Sequence, residues 1–250
     1  MKKFLSVLLV AAMLLCSVSA LAESTLPLAG KTLRIGLSPT FMYFETQNEA
    51  GEYEGLDIDI INKLSEMLGF EYEIVPMDFS SLIGSLQTGD LDVVISGLSY
   101  TDERAQVVDF SVTYCTTDVG CVTKVDSGIT CTEDLKGKVV CCSQGTTYEI
   151  LLQDMGVDLR TFQGTAAVGA AVTNGQDDVV AGVTSINGAK KLANQSEGVL
   201  TYFMLEGEGT ADQYNIAFQK GSDLTETFNG ALQELFDNGW MAEKIQYWLY

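Results

Sequence analysis

Short apolar runs of strand period alternate along this chain with amphipathic stripes of helical period, an order that an α/β layer buries well. Residues 33–37 read as a strand, and residues 56–68 set Ile58, Ile61, Leu64, Met67 and Leu68 on one helical stripe stopped by Gly69. Residues 70–75 alternate apolar and polar, residues 82–88 form a short helix closed by Gly89, and Val93, Val94 and Ile95 read as a buried strand. Three strands with helices between them imply a mostly parallel sheet. After Cys115 the cycle restarts, with strands expected at 139–142 and 179–181 and helices at 147–155 and 165–174, which makes a second small α/β unit. The end differs: a strand at 215–218 precedes amphipathic helices at 224–235 and 240–249, split by Asn238-Gly239.

Composition closes several function classes. Only 14 Lys and Arg stand against 34 Asp and Glu, a formal charge of −20, which argues against nucleic acid because phosphate contacts need clustered positive charge. Histidine is absent, which removes His-based triads, most zinc sites and the commonest general base. No pair of groups presents itself as an acid and base, so no catalytic residue, metal or cofactor is expected.

The first 22 residues read as an export signal. Met1-Lys2-Lys3 is positive, residues 4–15 are apolar but too short to span a bilayer, and Ala20-Leu21-Ala22 is a small-x-small cleavage site. Cleavage after Ala22 removes two lysines, taking the 14 basic residues to 12 and the charge from −20 to −22. A lipid anchor on Cys16 is the lesser alternative, since Leu15 is a poor residue to precede it. Cys115, Cys121, Cys131, Cys141 and Cys142 then remain, an odd number, so at most two disulfides form. Most read as small buried residues.

Specific residues carry a resemblance. The runs Gly55-Leu56-Asp57-Ile58-Asp59-Ile60, Met77-Asp78-Phe79, Gly89-Asp90-Leu91-Asp92-Val93-Val94, Ser96-Gly97-Leu98-Ser99-Tyr100-Thr101-Asp102-Glu103-Arg104 and Val108-Asp109-Phe110-Ser111 occur in that order. Further on come Gln144-Gly145-Thr146-Thr147, Ile216-Ala217-Phe218-Gln219-Lys220-Gly221 and Gly239-Trp240. The set resembles the polar-amino-acid family of extracytoplasmic solute-binding proteins that serve ABC importers. The resemblance implies a type II periplasmic-binding-protein clamshell. Lobe 1 would be discontinuous, from 23–115 and 214–250, and lobe 2 would be 116–213, with hinge crossings near 115–120 and 212–215. It also implies a monomer that takes a small carboxylate-bearing solute, most plausibly an amino acid, to an importer's membrane subunits, working in the periplasm or at the cell surface. A non-amine carboxylate, a ligand-sensing module and, last, an enzyme on the same fold are the alternatives.

The motif residues have their own chemistry. Gly97 lets backbone approach a ligand at the end of a strand, Ser99 offers a hydroxyl, and Arg104 can fork two parallel hydrogen bonds onto a carboxylate. By resemblance Arg104 holds the ligand carboxylate. Gln144-Gly145-Thr146-Thr147 runs from a strand into a helix, whose free amides with the Thr146 and Thr147 hydroxyls make an anion site. Thr146 to Glu149 also reads as a capping box. Phe41 and Phe79 match family positions that sandwich the ligand's side chain, and Ser38, Tyr43 and Gly145 are further candidates for the wall.

One departure bears on the ligand. The family's ammonium-pairing aspartate falls, by count from Asp178, on Val183. A one-residue slip would offer Gly182 or Thr184, and Asp177 and Asp178 lie too early on that strand. Glu45 and Asp212 are the acids considered as substitutes, and spacing does not place either of them.

Overall fold

The computed structural model describes residues 26–250. The export segment, its cleavage point after Ala22 and Cys16 lie outside the described residues. The first sheet takes β1 (Thr32–Leu37), β5 (Glu71–Pro76), β6 (Val93–Val94), β7 (Val108–Phe110) and β14 (Ala217–Gln219) in the order β5-β1-β6-β14-β7. β1 runs parallel to β5 and β6, whereas β14 is antiparallel to β6 and β7. Between β1 and the first helix, β2 (Thr40–Phe41), β3 (Glu45–Gln47) and β4 (Tyr53–Glu54) form a small antiparallel ribbon.

Helix α1 (Leu56–Leu68) follows the ribbon, and α2 (Leu82–Thr88) and α3 (Asp102–Ala105) follow β5 and β6. The apolar stripe of α1 buries Ile60, Ile61 and Leu64 against Ile35, Leu37, Phe218 and Phe228, and α2 buries Leu82 and Leu86 in a separate cluster with Val94, Leu98 and Val108. Each such side chain contributes about 1.5–3 kcal/mol when fully withdrawn from water. Gly69 and Gly89 end α1 and α2 in the left-handed conformation, at φ 81° and 80°, a geometry glycine adopts without steric cost.

The second sheet holds β8 (Cys115–Lys124), β9 (Val139–Ser143), β10 (Asp158–Phe162), β11 (Ala181–Ser185) and β12 (Leu200–Met204) in the order β10-β9-β11-β8-β12. α4 (Thr147–Asp154), α5 (Gly164–Asn174) and α6 (Ile186–Gln195) connect these strands. β9, β10 and β11 are parallel, and β8 is antiparallel to β11 and β12. β13 (Ala211–Tyr214) pairs antiparallel with the first half of β8, so the two connections between the lobes lie side by side. α7 (Leu224–Asp237) and α8 (Trp240–Leu249) return to the first core. The architecture is α/β in two lobes, each with its own mixed sheet. Among the described residues no helix is long and apolar enough to cross a membrane.

One expected strand is displaced. The apolar run 179–181 does not form a strand of its own, because residues 176–178 make a single tight helical turn with Asp177 and Asp178 at positive φ, and β11 begins only at Ala181. The five described cysteines are all thiols, four of them buried and Cys131 exposed. Burial pushes the Cys115 and Cys141 thiols up to about 12, so neither is a reactive thiolate at neutral pH.

Candidate ligand-binding site

A small cavity of about 40 Å³ lies between the two sheets, inside a cleft of about 480 Å³ counted out to its open mouth. Its wall brings together Ser38, Phe41, Phe79, Gly97, Ser99 and Arg104 from the first lobe with Thr146 and Thr147 from the second.

Arg104 is held by a short local device. The Thr101 hydroxyl accepts from the Arg104 amide at 3.1 Å and caps the single turn α3. The guanidinium then points inward, donating to the Ser99 carbonyl at 2.6 Å and to the Gly145 carbonyl at 2.8 Å. It lies 5.8 Å from the centre of the Phe79 ring, within cation–π range. Burial lowers its pKa while the nearby Asp212 and Glu103 charges oppose that shift. Two of its five N–H donors are thus taken by carbonyls, leaving three for a carboxylate.

Gly97 has φ 52° and its amide donates to Asp57 Oδ2 at 2.8 Å. An added Cβ there would run into the Phe41 ring. Phe41 itself is fixed by stacking on Phe44 at 4.7 Å and by an edge contact with Tyr214 at 5.8 Å. Across the cavity, the Ser99 and Thr147 hydroxyls both donate to Asp212 Oδ1 at 3.0 Å. Among the described residues the amides of Thr147 and Tyr148, at the start of α4, have no hydrogen-bond acceptor, the arrangement that receives anions.

Three expected contacts are corrected. Val183 is fully buried in the second lobe's core with Cys121, Cys142 and Tyr148, because the pleat of β11 sends Ala181 and Val183 to that face. Its neighbour Thr184 lines the cavity instead. Tyr43 stands outside the cavity wall, at φ 73°, with Lys191 Nζ 4.6 Å over its ring. Gly145 also stays out of the central cavity: its carbonyl meets Arg104 and its Cα side packs on Ser80 of the other lobe. The capping box is likewise absent, since Thr146 Oγ1 donates to the Ser143 carbonyl and the Glu149 carboxylate accepts from the Gly145 amide, one residue earlier than a box requires.

Thr40, Glu45, Ser96, Ser143, Tyr148, Gly164, Thr165, Thr184, Asp212 and Tyr214 complete the wall. Two of these are acids. Glu45 is fully buried, accepts from Ser96 Oγ at 2.6 Å, and is raised well above the usual carboxylate range by burial and then by the Asp57 charge beside it. Asp212 is 6% exposed. Asp178 lines a separate surface depression, and neither it nor Asp177 belongs to this wall.

The model of bacterial extracellular solute-binding proteins, family 3, matches residues 33–250. The chain belongs to that family. This family 3 protein is 32% identical to the arginine-binding extracellular protein ArtP of Bacillus subtilis (strain 168), over 99% of this chain and 98% of ArtP. It is 29% identical to the L-cystine-binding protein TcyJ of Escherichia coli (strain K12), over 87% and 82% of the two chains. A solved substrate-binding protein of an amino acid ABC transporter superposes with a TM-score of 0.80 at 30% identity, covering 87% of this chain and 98% of that one. The family 3 clamshell accounts for a cleft whose walls come from two sheets.

Proposed function

We propose that this protein captures an α-amino acid outside the cytoplasm and delivers it, as a monomer without a cofactor, to the membrane subunits of an ABC importer. The carrying observation is Arg104, a half-buried guanidinium fork at the junction of the lobes with N–H donors to spare. Fork geometry matches a carboxylate in two bonds. The amides at the start of α4 face the same cavity from the other lobe, so the grip is complete only when the lobes meet. Relatives named for arginine and for cystine share an α-amino acid headgroup and differ in side chain, which supports the headgroup as the conserved target of such a site. The transporter-associated relative supports delivery to an importer, and closure would report to it that ligand is aboard. Site roles assigned to Phe41, Phe79, Gly97, Ser99, Arg104, Thr146 and Thr147 belong to this reading, as does export with cleavage after Ala22, which an intact mass of the secreted chain starting at Glu23 tests.

A thermal-shift screen of the purified mature chain against the twenty protein L-amino acids, L-ornithine and L-cystine tests the function. A ligand at 100 times its Kd adds about 2.7 kcal/mol, seen as a rise of several degrees in Tm. No shift with any of them contradicts the reading.

A further inference from the structure

Arg104 gives the cavity a place for a carboxylate, but an amino acid also brings an ammonium, and Val183 is turned into the core where it contributes nothing. Two acids line the cavity, and their states differ. Glu45 is fully buried beside Asp57, and burial and then the Asp57 charge raise it well above the usual carboxylate range, while its Oε1 is taken by Ser96 Oγ at 2.6 Å. A carboxyl whose charged form is disfavoured in this way is a poor counter-charge.

Asp212 is the other. It sits on β13, the strand that returns between the lobes, and makes no ion pair among the described residues. Its Oδ1 is saturated by Ser99 Oγ from one lobe and Thr147 Oγ1 from the other, at 3.0 Å each. Its Oδ2 has only the Tyr214 hydroxyl at 3.5 Å, a long contact that leaves lone pairs unused. Because the Ser99 and Thr147 hydroxyls spend their protons on Asp212, their own lone pairs remain as acceptors. Three acceptors therefore converge on one region of the cavity, which is the requirement of an ammonium with three N–H donors.

Resting on the amino acid reading, we infer that Asp212 is the counter-charge for the ligand's α-ammonium and makes the site select zwitterionic amino acids over carboxylates that lack the amine. Arg104 and Asp212 together give the wall one positive and one negative charge, matching a zwitterion. A ligand with a carboxylate alone leaves Asp212 buried without a cation, next to a second anion, and a buried unpaired charge is strongly disfavoured. The position of the charge differs from that of an acid on β11, because Asp212 reaches the cavity from an inter-lobe strand.

Titration calorimetry of the wild-type protein and of Asp212→Asn tests this, using the tightest member of the amino acid panel and the same acid lacking its α-amine. Asparagine keeps the shape and still accepts from Ser99 and Thr147; Asp212→Ser gives the same readout if asparagine disturbs the melting transition. The wild-type protein is expected to bind the amino acid at least 100-fold more tightly than the deaminated acid. In Asp212→Asn the amino acid is expected to weaken at least 100-fold while the deaminated acid holds or improves. Amino acid affinity within threefold of wild type in the folded variant overturns the inference, as does equal wild-type affinity for the two acids, and both leave carboxylate capture standing. Absence of binding by any amino acid in the wild-type protein overturns the functional reading and the inference with it.

Discussion

The guanidinium of Arg104 donates through Nη2 to the carbonyl oxygen of Gly145 at 2.8 Å, a bond that spans from the first sheet's loops to the second's. The residue proposed to hold the ligand is therefore also a tie between the lobes. Closure and binding become linked: the contact forms only when Gly145 is brought up to the Ser96–Arg104 segment. A charge-assisted bond of this kind is stronger than one between neutral groups, and the same guanidinium keeps three donors for a ligand.

Gly145 should resist substitution for this reason. Its φ is 79°, and an added Cβ would lie 2.9 Å from the Cα and Cβ of Ser80 on the other lobe. The strain is present in open and closed forms, whereas the collision exists only when the lobes meet. Gly145→Ala is expected to weaken ligand binding tenfold or more, about 1.4 kcal/mol, with a smaller loss of unliganded stability of about 1 kcal/mol. Calorimetry and a denaturant titration on one preparation check both numbers.

A second tie lies at the rim. Lys191 Nζ on α6 sits 4.6 Å over the ring of Tyr43 from the first lobe. Both residues are half-buried, and cation–π pairs contribute about 0.5–1 kcal/mol even at exposed sites. Lys191→Ala should weaken binding by roughly two- to fivefold through less favourable closure, and Lys191→Arg should restore it. Stopped-flow release is the measurement, since loss of a closed-state contact speeds dissociation.

The buried acids set a pH dependence of stability. Glu45 Oε2, Asp57 Oδ1 and the Tyr114 hydroxyl are buried without hydrogen-bond partners among the described residues. Burial raises Glu45 well above its usual range, and it raises Asp57 from 3.8 to about 7 against the Gly97 amide, which pulls the other way. An acid with a native pKa above its unfolded value binds its proton more tightly when folded. Stability is thus highest below the unfolded values and falls as pH rises, for Asp57 through the window from about 4 to about 7. Glu45→Gln keeps the Ser96 contact and removes one of the two titrating groups. It is expected to match wild type near pH 4 and to exceed it by about 1–3 kcal/mol at pH 8. Melting curves at both pH values check this, and a gain that is larger at pH 4 contradicts it.

How much was legible in the sequence depends on the range of the signal. α1, α2 and α8 have the bounds that their stripes and flanking glycines imply, because a left-handed glycine is a local stop that no tertiary contact needs to impose. The run 179–181 misled because apolar residues look alike in a strand and in the extended lead-in to one, while the turn that delays β11 is set by positive φ at Asp177 and Asp178. Thr146 and Glu149 have capping-box spacing, yet the Gly145 amide and Ser143 carbonyl compete successfully for their side chains. Val183 matches a family position by count, and the pleat of β11 decides instead that Thr184 faces the cavity. Asp212 and Ser99 lie 113 residues apart, and no local pattern places the two together. The strands β8, β10 and β12 likewise depend on pairing partners outside their own local sequence.

The most direct test of amino acid capture through Arg104 is the calorimetric affinity of Arg104→Lys for the tightest amino acid of the panel. Lysine keeps the positive charge but replaces the planar fork with a point charge on a flexible stem. Loss of the paired charge-assisted bonds predicts a weakening of about 30-fold or more, roughly 2 kcal/mol, with the unliganded melting temperature within a few degrees of wild type. An affinity within threefold of wild type in the folded variant would contradict the account, because the carboxylate would then be held by something other than this guanidinium.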